Sequence, residues 1–130
     1  MNVYLYKSIN ALEEPIEKLN MFITQAFDLV NTEKDYFYVL IDFWTQINKN
    51  ERIKKANVKL FQSYRDECQK ILEEGIKKGS FNEMDVNYLS ALIISIIQGM
   101  IIQFVIDKSA FDYQNFCERT IEYINKLVVK

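Results

Sequence analysis

Histidine is missing from all 130 residues, and proline occurs once. Without histidine the chain lacks the commonest general base and the commonest zinc ligand, and Ser-His and Cys-His nucleophile arrangements are impossible. The two cysteines, Cys68 and Cys117, stand far apart with no C-x-x-C pair, which excludes a disulfide framework and leaves reduced thiols as the expectation. A basic excess is lacking as well: 16 Lys and Arg against 18 Asp and Glu give a net charge of −2, no field for gripping a phosphate backbone.

Other chemistries fall for want of their motifs. There is no phosphate loop, dinucleotide fingerprint or zinc spacing, and no Glu-x-x-His of the kind a di-iron bundle uses. Asp66/Glu67 and Glu73/Glu74 are sequence neighbours, which on a helix do not face each other and make no catalytic dyad. Lys49, Arg52, Lys54, Lys55 and Lys59 are interrupted by Glu51 and spread around a helix, which suits a solvated face. No cationic leader followed by an apolar run opens "MNVYLYKSINALEE". The expectation is a cytoplasmic protein that is not an enzyme and carries neither metal nor cofactor.

What the chain does have is apolar residues, 49% of the total, recurring at three- and four-residue spacing nearly throughout. This predicts an all-α fold, a bundle of five to six helices forming a single domain over residues 1–130. Residues 1–11 read as the tail of a helix. Pro15 opens a helix with Ile16, Leu19, Phe22, Ile23, Ala26, Phe27 and Val30 along one side, stopping near Asn31. Thr32 and Asp35 introduce the aromatic segment "DYFYVLIDFWTQINKN" at 35–50, read as a helix with neighbours on several sides. A longer helix spans 51–78 on a stripe of Val58, Phe61, Tyr64 or Arg65, Cys68 and Ile71 or Leu72, closed by Gly79. Asn82, with Asp85 three residues on, starts the next helix, and Asp107, Lys108 and Ser109 end it. Ser109 or Asp112 caps a last one bearing Tyr113, Phe116, Cys117, Thr120, Ile121, Ile124, Leu127 and Val128.

The segment "DVNYLSALIISIIQGMIIQFVID" at 85–107 carries no charge between its terminal aspartates and is long enough to span a bilayer. Against a span stand Asn87, Ser90, Ser95, Gln98 and Gln103 within it, the acidic boundaries, the absence of a flanking Lys/Arg cluster, and the amphipathic helices around it that need covering. A buried helix in a soluble assembly is the preferred reading. A chain this small covers such a helix poorly by itself, so a second copy packing the last two helices about a two-fold axis, as a four-helix interface, is expected. Ala91, Ser95 and Gly99 would let backbones approach, Gln98 would need a partner at the rim, and Ile102, Phe116 and Ile124 complete the expected contact.

The order of features in "ILEEGIKKGSFNEMDVNYLSALIISIIQGMIIQFVID" resembles the C-terminal regulatory domain of the TetR family of bacterial transcriptional regulators. An amphipathic helix ends in Glu73, Glu74, Gly75, Ile76, Gly79 and Phe81. The acidic cap Asp85 follows, then an apolar helix with Gln98, Gly99 and Met100, then a closing amphipathic helix. The resemblance implies a homodimer built through the last two helices and an effector cavity enclosed by those before them. It also implies a DNA-reading helix-turn-helix head, for which nothing before residue 12 leaves room. The chain is expected to be either an excised regulatory domain or a relative without its head, making no direct nucleic-acid contact and entering no membrane.

For the effector, a small and mostly apolar molecule, the aromatic set Phe22, Phe37, Phe43, Trp44, Phe61 and Tyr64 on three consecutive helices has a cavity-lining composition, with Cys68 one turn beyond. Ordinary core packing explains the same residues, so an all-helical dimeric scaffold without a cavity stays open as the alternative.

Overall fold

The apolar periodicity folds mainly as helix in the computed structural model, which describes residues 9, 11–32, 35, 38, 41–42 and 44–130. Four α-helices lie among the described residues: α1 (Pro15–Thr32), α2 (Glu51–Lys77), α3 (Val86–Ile106) and α4 (Tyr113–Val128). The expected count of five to six is therefore four here. Asp35, Tyr38, Ile41, Asp42 and Trp44 are helical, but the chain then turns into a short 3-10 segment, Ile47–Lys49, instead of running helical to residue 50. The expectations for residues 1–8, and for Tyr36, Phe37, Leu40 and Phe43, lie outside the described residues.

Local chemistry sets the ends. Asn50 accepts hydrogen bonds from the amides of Arg52 (3.0 Å) and Ile53 (3.2 Å) and starts α2, a cap that the sequence reading overlooked. Asp85 accepts from the Tyr88 amide (3.1 Å) to start α3. Of the two residues proposed for α4, Asp112 is the one that caps it, accepting from Asn115 at 3.2 Å. Ser109 instead donates its amide and hydroxyl to the Asp107 carboxylate, which these bonds hold below the usual carboxylate range.

Gly75, Gly79 and Phe81 form one device at the end of α2. Gly79 takes φ +79°, the left-handed conformation that costs glycine nothing, and the Gly75 carbonyl accepts the amides of Ser80 (2.9 Å) and Phe81 (3.0 Å). The chain folds back so tightly that the Phe81 ring occupies the space where a Cβ on residue 75 would stand. An isolated antiparallel bridge joins Phe81 to Val129, and Asn82 N–H to Val128 O (2.9 Å) fastens the end of α4 to the same connection.

α1 runs through the middle, packing against each of the other three helices with Leu19, Phe22, Ile23, Ala26, Phe27 and Val30 buried. Lys18 on α1 pairs with Glu74 on α2 at 2.8 Å, and Lys78 joins at 3.1 Å. Hydrogen bonds from Lys18 and then Lys78 draw the Glu74 carboxyl below its usual range. Tyr113 of α4 donates its hydroxyl to the Phe27 carbonyl (2.8 Å), and desolvation by burial, with the neighbouring Cys117 and Asp28, raises the phenol well above its usual range and keeps it neutral. Between α2 and α3 the fully buried Ser90 accepts from Gln69 (3.1 Å) and donates to the Asn87 carbonyl (3.0 Å), so no polar valence of that seam is wasted.

Candidate functional site: a groove and an open face on one helix

α3 decides where a site can form. It is the one described helix long and apolar enough to cross a membrane, yet only 33% of its most apolar window is buried inside the chain. Leu89, Ile93, Ile97, Ile101 and Val105 point into the core, and the remaining circumference divides into two exposed regions.

The first is a groove of about 400 Å³ between the segment at 44–47, α2 and α3. Trp44 and Ile47 form one wall and Phe61 and Arg65, one turn apart on α2, another. From α3 come Ala91, Ile94, Ser95, Gln98 and Ile102, whose three- and four-residue steps place them on a single face. Trp44 donates its indole N–H to Asn57 Oδ1 (3.0 Å), so it offers the groove its ring rather than its donor. Its ring stands 6.3 Å from that of Phe61, which in turn meets Tyr64 edge to face at 6.1 Å.

Of the residues expected to meet an effector, Trp44 and Phe61 line this groove. Phe22, Tyr64 and Cys68 lie in the core, with exposures of 1%, 7% and 0%, and Phe37 is outside the described residues. Burial pushes the Cys68 thiol up to about 12, so it stays protonated and unreactive. Sequence reasoning missed Ile47, Ile94 and Arg65 as lining residues. The signal for Arg65 was present, because the apolar stripe of α2 left Tyr64 and Arg65 as alternatives, and the structure turns the tyrosine inward and the arginine toward the groove.

The second region adjoins the groove, since Gly99 and Ile106 stand one helical turn beyond Ser95 and Ile102 of its lining. Tyr88 and Ile106 on α3, and Phe116, Tyr123 and Leu127 on α4, are 67%, 73%, 38%, 64% and 50% exposed. Thr120 on α4 donates its hydroxyl to the Phe116 carbonyl at 2.7 Å and stands 3.2 Å from the Met100 sulfur of α3, so the two helices touch at this side. Phe116 stacks on Phe111 at 4.8 Å, with the Arg119 guanidinium 5.7 Å from its ring centre. Gly99 faces open space. Of the residues expected at a partner contact, Phe116 and Gly99 are here, while Ala91, Ser95, Gln98 and Ile102 line the groove and Ile124 is 3% exposed within the core.

The family model for the C-terminal domain of BetI-type transcriptional repressors matches residues 15–128. The chain belongs to this TetR-type regulator family. Its members are transcriptional regulators rather than enzymes. None of the curated proteins matches the chain in sequence.

Solved structures share the fold. A transcriptional regulator from Saccharomonospora viridis, solved in complex with choline, superimposes with a TM-score of 0.88 at 16% identity, over 98% of this chain and 66% of its own. A TetR regulator from Haloarcula marismortui gives 0.82 at 17% identity, over 96% and 68%. FadR from Bacillus subtilis, solved with stearoyl-CoA, gives 0.75 at 20% identity, over 93% and 64%. The chain thus spans about two thirds of the length of these regulators.

Proposed function

We propose that this chain is the ligand-sensing and dimerising domain of a TetR-type transcriptional regulator of the cytoplasm. In this reading a small, mostly apolar effector enters the groove between Trp44, Phe61 and α3, and a second copy covers the outer face of α3 and α4. The observation that carries the proposal is that both surfaces belong to the same helix, 21 residues long. A ligand seated under Ala91, Gln98 and Ile102 acts on the rod whose adjoining residues Tyr88, Gly99 and Ile106 are offered to the partner.

Coupling then needs only a difference in effector affinity between two dimer geometries, because a ligand shifts an equilibrium by that difference and no more. DNA would be read by a separate head domain, whose spacing the dimer geometry sets. The groove favours this reading over a scaffold without a cavity.

Trp44 is the lone tryptophan, so its emission reports the groove directly. Screening small molecules by that emission should yield ligands that also raise the melting temperature, and Ala91→Phe, which fills the groove, should abolish both effects in a folded protein. Ligands that bind Ala91→Phe as well as the parent would place the effector elsewhere and defeat the proposal.

A further inference from the structure

Among its described lining residues the groove carries one formal charge, the guanidinium of Arg65, beside aromatic and aliphatic groups with Ser95 and Gln98. Arg65 has no carboxylate partner among the described residues: its Nη2 donates to Gln62 Oε1 at 3.2 Å. The nearest acid in sequence, Asp66, is engaged by Gln62 Nε2 at 2.8 Å. Gln98 makes no hydrogen bond among the described residues, so its amide is free to donate toward the groove. The Ser95 hydroxyl is spent on the Ala91 carbonyl at 2.7 Å, and the Trp44 N–H on Asn57.

We infer that the groove selects amphipathic anions, molecules with a carboxylate head for Arg65 and Gln98 and an alkyl or aromatic body for Trp44, Phe61 and Ile94. The inference rests on the groove being the effector site, and it adds the charge that the site selects. A guanidinium presents a planar fork of donors that matches a carboxylate bidentately, and a charge-assisted bond beside apolar walls is stronger than one in open water. A cation would meet Arg65 with repulsion and find no carboxylate among the described lining residues to offset it. The volume, about 400 Å³, is at the low end for ligand sites and suits a single medium-length chain or a fused ring pair.

Three probes of one chain length and different heads test this on the intact chain: decanoate, decanol and decyltrimethylammonium, each below its micelle-forming concentration and read by Trp44 emission and melting temperature. Decanoate should bind tightest, with affinity falling as salt rises. Arg65→Gln should weaken it by about tenfold or more while leaving decanol unchanged, and Arg65→Lys should fall between, since it keeps the charge but loses the fork. Because Arg65 lies at the helix surface, melting of the ligand-free variants should match the parent and separate lost binding from lost folding. Decanol or the ammonium binding as tightly as decanoate, or Arg65→Gln leaving decanoate unaffected, overturns the anion assignment while keeping the groove. Silence of Trp44 toward all three overturns both.

Discussion

Replacing Gly75 with alanine tests the closing turn of α2, because two opposed effects differ in size there. In an open helix the change would stabilise by about 1 kcal/mol, the difference in helix propensity. At Gly75 the new methyl would overlap the Phe81 ring, which is 1% exposed and is held by the Phe81–Val129 bridge, so it has nowhere to swing. Overpacking of this kind costs about 1–3 kcal/mol, and a trapped ring argues for the upper end. The net expectation is a loss of about 1–2 kcal/mol, or roughly 3–8 °C in melting temperature for a domain of this size. Thermal and urea unfolding by far-UV circular dichroism would measure it. Phe81→Ala alone should cost about 3–5 kcal/mol. In that background, however, Gly75→Ala should change sign and recover up to about 1 kcal/mol, leaving a coupling energy of about 2–3 kcal/mol between the two sites. A Gly75→Ala variant as stable as the parent, or one whose effect is the same with and without the Phe81 ring, would refute the account of this turn.

Other outcomes follow from the same coordinates. Tyr123→Glu combined with Leu127→Glu, or Gly99→Arg, places charge on the open face and should give a folded monomer by light scattering; an unaltered dimer would exclude this face as the contact. Tyr113→Phe removes the buried bond to the Phe27 carbonyl and should cost about 0.5–1.5 kcal/mol in urea unfolding. The Cys68 thiol ionises at about 12 in the folded chain against 9.0 when exposed, so its contribution is whole below pH 9 and is lost as pH rises toward 12. Burial raises Cys117 in the same direction, to about 11. Cys68→Ala should therefore flatten the alkaline fall in stability, and in the parent a thiol reagent at pH 8 should label Cys68 only on unfolding; immediate labelling would contradict its burial.

Several parts of this protein were legible as local chemistry. At the end of α2 the left-handed turn of Gly79 was legible, whereas the need for a residue without a Cβ at Gly75 shows only once the fold brings the Phe81 ring there. Asp85 and Asp112 mark helix starts because a short acceptor side chain three residues before an amide is all a cap requires. Asn50 follows the same rule but was passed over, lying in an aromatic segment read as helix to its end.

The sequence by itself determined the helical period, the approximate starts of the four described helices, the inner stripe of α1 and the apolar length of α3, since each of these depends on residues within a few turns of one another. Only the tertiary structure decided which exposed side of α3 became the groove and which the open face, and that Tyr64 turned inward while Arg65 turned out. A helix of apolar residues looks alike on every side until its neighbours are placed, and those neighbours, Trp44 and Phe61, come from segments 30 and more residues earlier in the chain.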